Sequence, residues 1–266
     1  MNSNYRDRRP IRHRCDTILR MAAEPNTAAR ASNLHVGTSG WGYPTWKPAF
    51  YPEKTRQKDF LRYYSTQLNA VEVNYTFRHM VSEKSVTGWL AETPPDFMFS
   101  IKAHQLITHI KRLKNAEEPV RRFVDSVRML DSASRLGPAL FQLPPNLKCD
   151  VGVLRDFLAL LPPKMRATFE FRHASWFNDD VYKALADRDA ALCIAEDEER
   201  ETPDVITASF RYYRLRKPGY TAAELSAKSA VLREAATKSD VYAFFKHEED
   251  PQSAVWAAGV LKGASE

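Results

Sequence analysis

Cysteine is scarce and poorly placed for crosslinking. The three, Cys15, Cys149 and Cys193, are odd in number, far apart and in no metal-ligand spacing. That argues against a disulfide framework and a structural zinc, and a reducing cytosol is the expected setting. Long hydrophobic runs are missing as well, so neither a membrane span nor a signal peptide is read. There is no G-x-G-x-x-G phosphate turn: in "VGTSGWGYPTW" prolines and tryptophans, rather than a helix, follow Gly37, Gly40 and Gly42. A serine nucleophile elbow, an internal repeat and a low-complexity block are all absent.

Charge is present but unevenly spread. Residues 1–33 hold seven arginines against Asp7, Asp16 and Glu24, which accounts for +4 of the net +6. The remaining 233 residues hold 32 basic and 30 acidic side chains. The basic character is therefore a property of the first 33 residues, expected to be a disordered extension, with a nucleic-acid arm or transit peptide as the less favoured readings. Met21 opens a shorter reading frame. The domain proper is expected at residues 34–266, folding without the extension.

From residue 34 onward, short β-branched and aromatic runs alternate with segments of helical spacing. The strands are expected at Leu34–Gly40, Ala70–Phe77, Met98–His104, Pro138–Leu143, Arg166–His173, Ala190–Asp197, Phe210–Arg216 and Asp240–His247. The clearest helix has Pro119 in its first turn, an apolar face of Val120, Phe123, Val124, Val127 and Leu130, and Gly137 as its end. Thr221 and Glu224 form a capping box, and Asp250-Pro251 opens a last helix carrying Val255, Trp256 and Val260. Between Glu198 and Ser209 no helix is convincing. Eight such repeats of strand and helix predict an α/β fold, a single (β/α)8 TIM-type barrel.

The stretch "TFEFRHASW" is odd for a buried strand, because a glutamate and an arginine alternate with phenylalanines. In a barrel one face of each strand meets the helices and the other meets the axis. If Phe169 and Phe171 face the helices, Glu170 and Arg172 point inward. The same parity sends Glu72, Asn74 and Thr76 inward from "VEVNYTF", and Ser100, Lys102 and His104 from "FSIKAH". Gln142 follows from "LFQLP", Tyr212, Arg214 and Arg216 from "RYYRLR", and Tyr242, Phe244 and Lys246 from "YAFFK". Unpaired buried charge costs several kcal/mol, so this lining is either a paired network or a ligand site. Its late position in the strands favours a site.

At "HVGTSGW", "FYP", "VEVNYTF", "ITH", "LFQLPP", "FEFRHASW" and "YYRLR" the chain resembles the YecE-like family of unknown function, over roughly residues 34–247. The resemblance implies a TIM-type barrel and a pocket, with no established reaction. Its motifs carry over Gly37, Thr38, Ser39, Gly40 and Trp41, then Tyr51 and Pro52. They continue through Glu72, Asn74, Thr76 and Phe77 to Lys102, Thr108 and His109. Gln142 and Pro144 follow, then Glu170, Arg172, His173 and Trp176, and finally Arg214. Two departures make the rim more basic. Arg216-Lys217 stands where the family often has His-Gly, and Lys246-His247 where it often has paired asparagines.

Among inward positions the acids are Glu72, Glu170 and Asp197; the bases are Lys102, Arg172, Arg214, Arg216 and Lys246. Divalent metals want a surplus of carboxylate or neutral histidine, so neither metal nor organic cofactor is expected. An excess of arginine and lysine instead suits a phosphate or carboxylate. The expected function is an enzyme acting on a small anionic substrate, conceivably nucleotide-like, by acid/base chemistry. Glu72, Glu170 and His104 are its candidate catalytic residues. Thr38, Trp41, Asn74, Lys102, His109, Gln142, Arg172, Trp176, Arg214 and Lys246 are its candidate substrate-binding residues. Two other readings stay open: a nucleic-acid-binding or nuclease-like barrel, and a non-catalytic ligand-binding protein. Nucleic acid is not favoured as a partner, no membrane partner is expected, and no oligomeric state is read from the sequence.

Overall fold

Each apolar run becomes a parallel strand, and the chain order is kept around the sheet. In the computed structural model, which describes residues 33–196, 202–246 and 250–263, the strands are β1 (Leu34–Thr38), β2 (Ala70–Val73), β3 (Met98–Lys102), β4 (Leu136–Gln142), β5 (Ala167–Glu170), β6 (Ala191–Glu196), β7 (Phe210–Leu215) and β8 (Asp240–Phe245). They pair in the order β1-β8-β7-β6-β5-β4-β3-β2, and a single bridge from Ser39 to Glu72 joins the two ends. The result is an eight-stranded barrel, nearly closed, with helices between the strands.

The helices are α1 (Phe60–Gln67), α2 (Glu83–Glu92), α3 (Glu117–Ser132), α4 (Val151–Leu160), α5 (Asp179–Ala186), α6 (Ala222–Ala236) and α7 (Gln252–Lys262). The capping box of Thr221 and Glu224 is present at the start of α6. No helix lies between β6 and β7 among the described residues. None of the described helices is long and apolar enough to cross a membrane.

Where β1 and β2 lack a full ladder, side chains supply the hydrogen bonds. The Val36 amide donates to Asn69 Oδ1 and Asn69 Nδ2 donates to the Leu34 carbonyl, both at 2.8 Å. Tyr64 Oη accepts from the Thr38 amide at 2.8 Å and donates to the Ala70 carbonyl at 3.0 Å. Such substitution is required because a buried backbone group without a partner is costly. Gly37 sits at the same seam. A Cβ there would lie 1.9 Å from the Ala70 carbonyl oxygen, so only glycine lets the strands approach.

Two apolar layers follow from strand alternation. Val71, Ile101, Phe141, Phe169 and their equivalents face the helices, while Ala70, Leu140, Cys193, Phe210, Tyr212, Tyr242 and Phe244 plug the barrel axis. The plug stops short of the strands' C-terminal ends, and there the inward positions turn polar.

Several boundaries differ from the sequence reading. At their C-terminal ends β2 stops four residues earlier and β5 three, because the chain turns into 3-10 turns at Tyr75–Phe77 and Ala174–Trp176. Helix α3 ends at Ser132, with Ser134 taking the left-handed turn at φ 57. Gly137 does not end the helix; it lies within β4, beside the Phe99 backbone. The basic extension apart from Asn33, and with it Asp197 and His247, lies outside the described residues.

Candidate active site at the barrel mouth

Glu72, Gln142, Glu170 and Arg214 occupy the last inward positions of β2, β4, β5 and β7, and they meet. Arg214 lies between the two carboxylates, with Nη2 donating to Glu72 Oε1 at 2.7 Å and Nη1 to Glu170 Oε2. Ser39 and Tyr212 each donate to Glu72 at 2.7 Å. Glu170 also accepts from Gln142 Nε2 at 2.9 Å, from Arg172 Nε at 3.1 Å and from Arg216. All four carboxylate oxygens thus have donors, which buried charges require.

This pairing sets the protonation states. Burial pushes the Glu72 carboxyl upward, but the Arg214 charge and the hydroxyls of Ser39 and Tyr212 outweigh it and hold it below the usual range. Burial acts likewise on Glu170, and the charges of Arg214, Arg216 and Arg172 bring it well below. Burial alone would lower the Arg214 pKa, but the two carboxylates hold it well above its ordinary value. Both glutamates are therefore ionised and fully solvated by protein donors. They form a paired, charged floor to the mouth.

Lys102 stands apart from that floor. Its Nζ donates to Gln142 Oε1 at 2.9 Å and lies 4.5 Å from the centre of the Phe77 ring. Burial, then the nearby Arg214 charge, lower its pKa to about 7, with Lys246 adding to the effect and Glu72 and Glu170 opposing it. Lys246 follows β8, half-buried, with its amide donating to the Leu215 carbonyl at 2.9 Å. Arg172 follows β5 with its side chain 35% exposed. Arg172, Lys246 and Lys102 thus line the rim above the glutamates.

The remaining candidates divide. Asn74 is at the rim, its Oδ1 buried and accepting no hydrogen bond among the described residues. His109 lies near the rim cations, edge-on to Phe77 at 4.8 Å and bonded to Thr108 Oγ1. Burial, Lys102 and Arg172 lower its pKa. His104 turns its Nδ1 to the Leu106 amide at 3.1 Å, capping the next turn. Thr38 faces the helix layer, where its hydroxyl donates to the Gly40 carbonyl. Trp41 packs edge-on against Trp89. Trp176 is buried, stacked on Phe171 at 4.7 Å with its indole nitrogen on the Leu147 carbonyl. Ser39, just after β1, is the residue beside Thr38 that reaches Glu72. Strand parity already turns Tyr212 and Arg216 inward, but their role as carboxylate partners follows only once Glu72 and Glu170 are in place.

Among the described residues no three His, Cys, Asp or Glu side chains come together to hold a metal. Cys193 is buried in the axial plug, where burial and then Glu170 push its thiol well up.

The family model described as "Protein of unknown function DUF72" matches residues 35–265. The chain belongs to the DUF72 family. It is 29% identical to the UPF0759 protein YunF of Bacillus subtilis over 157 residues, covering 56% of this chain and 54% of that one. It is 28% identical to the UPF0759 protein YecE of Escherichia coli K12 over 145 residues, covering 54% and 50%. The alignments thus span about half the length of these curated relatives. Among solved structures it is similar to a DUF72 family protein of Thermotoga maritima, with TM-score 0.76 and 25% identity over 88% of this chain and 99% of that one. A DUF72 protein of Enterococcus faecalis shares the fold, with TM-score 0.68 at 16% identity over 86% and 96%.

Proposed function

We propose that the barrel mouth is the active site of an enzyme that acts on a small anionic substrate by proton transfer. One observation carries the reading. Two ionised glutamates are held by Arg214, Arg216, Arg172 and neutral donors, and Lys102 and Lys246 add further positive charge beside them. Among the described inward residues that leaves positive charge in excess, at the strand ends where barrels carry their sites. Arg172 offers a guanidinium fork to a phosphate or carboxylate, and Lys246 a point charge.

In this reading Glu72 and Glu170 hold Arg214 and set the field, while Lys102 moves the proton. An amine titrating near neutrality suits a general base better than a carboxylate locked in ion pairs. His104, with one ring nitrogen occupied by a backbone amide, is the weaker candidate.

The direct Glu–Arg pairing also supports a second reading, a non-catalytic ligand-binding barrel whose charged layer is structural. A nucleic-acid role draws less support, since the buried Trp176 offers no open face for a base. The test is thermal shift and calorimetry with phosphate, sulfate and small phosphoesters on wild type, Arg172→Ala and Lys246→Ala. Wild type should be stabilised at millimolar anion, and each variant should bind roughly ten- to a hundredfold more weakly. An equal response in all three proteins, or none in wild type, rejects an anion site at the mouth.

A further inference from the structure

A buried lysine is ordinarily paired with a carboxylate, because an ammonium out of water is otherwise poorly stabilised. Lys102 is not so paired. Among the described residues it forms no ion pair, although Glu72 and Glu170 are near enough to influence it. Both carboxylates are occupied by Arg214 and its neighbours, so the polar partner of Nζ is a neutral amide oxygen. That oxygen accepts from an amine as well as from an ammonium, and so does not hold the third proton in place. The face of the Phe77 ring lies 4.5 Å from Nζ, an apolar neighbour that offers the ammonium only a weak cation–π contact. Lys102 itself is half-buried and ends its strand at the mouth.

We infer that Lys102 is a nucleophilic amine that forms an imine with a small aldehyde or ketone. Resting on the anion reading above, the carbonyl compound carries a phosphate or carboxylate that meets Arg172 and Lys246. The step balances without an added reactant. The Nζ lone pair attacks the carbonyl carbon and a C–N bond forms; the two amine protons then leave with the carbonyl oxygen as water, and C=N replaces C=O. Once protonated, the imine draws electrons from the adjacent carbon, easing removal of a proton or cleavage of a carbon–carbon bond there. At pH 7 about half of Lys102 is the free amine, whereas an ordinary lysine presents roughly one in three thousand. The charged groups around Nζ are Glu72 from β2, Glu170 from β5, Arg214 from β7 and Lys246 after β8, with His109 beyond Phe77. Arg214 and Lys246 favour the free amine; the glutamates oppose them.

The test uses full-length wild-type protein and pyridoxal 5′-phosphate as a probe that joins an aldehyde to a phosphate. The imine is trapped with cyanoborohydride and the modified lysines are mapped by peptide mass spectrometry. At pH 7 Lys102 should label at least about tenfold faster than exposed lysines such as Lys238, with a midpoint near pH 7 instead of near 10. Inorganic phosphate should protect it, and pyridoxal, which lacks the phosphate, should label it more slowly. Labelling of Lys102 no faster than of Lys238 overturns the inference, even if phosphate stabilises the protein. Fast labelling by both probes alike, without protection by phosphate, keeps the nucleophile and removes the anionic substrate. Mapping on wild type requires no variant to fold.

Discussion

Arg214 and Glu72 face each other at 2.7 Å with neither side chain exposed to solvent, although 142 residues separate them in the chain. With Glu170 on its other side, Arg214 is, among the described residues, the one guanidinium that neutralises two buried carboxylates at once. Removing it should be far worse than losing a surface arginine. Arg214→Ala is expected to destabilise the fold by about 3–5 kcal/mol. Chemical denaturation should show partial recovery when Glu72→Gln and Glu170→Gln are added, since the uncompensated charges are then gone. Full stability in Arg214→Ala alone would mean that the layer is hydrated.

The same pairing predicts an acid transition. Glu72 and Glu170 titrate below the usual range in the folded state, so their contribution is present above the ordinary carboxylate pKa and is lost as pH falls below it. Unfolding free energy should therefore fall steeply below about pH 4.3. In Glu170→Gln that slope should be shallower. An unchanged acid slope would count against ionised glutamates in the barrel.

Lys102 shifts in the same direction, but as a cation it destabilises the fold. Its pKa is about 7 folded against an ordinary 10.5, so between those values the unfolded chain binds the extra proton and stability rises with pH. Below pH 7 the buried ammonium costs the fold its full penalty. Lys102→Met should therefore gain most relative to wild type at pH 6, and the gap should narrow by pH 10. Equilibrium denaturation of both proteins across that range decides it; a pH-independent gap refutes the shifted lysine.

The seam between β1 and β2 makes a purely structural prediction. Tyr64→Phe removes the hydroxyl that joins the Thr38 amide to the Ala70 carbonyl, leaving two buried backbone groups unpaired. The expected loss is about 1–3 kcal/mol. Gly37→Ala should be worse, because its Cβ would meet the Ala70 carbonyl inside any permitted contact. Thermal melts are sufficient to rank the two; a harmless Gly37→Ala would mean that the seam opens freely.

Trp176 separates packing from binding. Its ring is stacked on Phe171 and closed from solvent, so Trp176→Ala should cost about 3–5 kcal/mol of stability. At a temperature where the variant is folded, its anion affinity should equal that of wild type. A selective loss of affinity would return the indole to the mouth.

The barrel and the inward face of Glu72, Gln142, Glu170 and Arg214 are legible in the sequence because both depend on short-range periodicity. A strand has two faces, so once Phe169 and Phe171 were assigned to the helices, Glu170 had one direction left, and Glu72, Gln142 and Arg214 followed by the same rule. Parity loses its hold beyond a strand's end, where His104 caps a turn; Thr38, on the helix side of β1, and Trp176, in the 3-10 turn against Phe171, are singled out by motif resemblance instead. What parity does not contain is partnership. Whether an inward glutamate meets an arginine, a lysine or a ligand depends on distances across the axis between strands far apart in the chain. Only the closed barrel brought Arg214 between Glu72 and Glu170 and left Lys102 on the Gln142 amide.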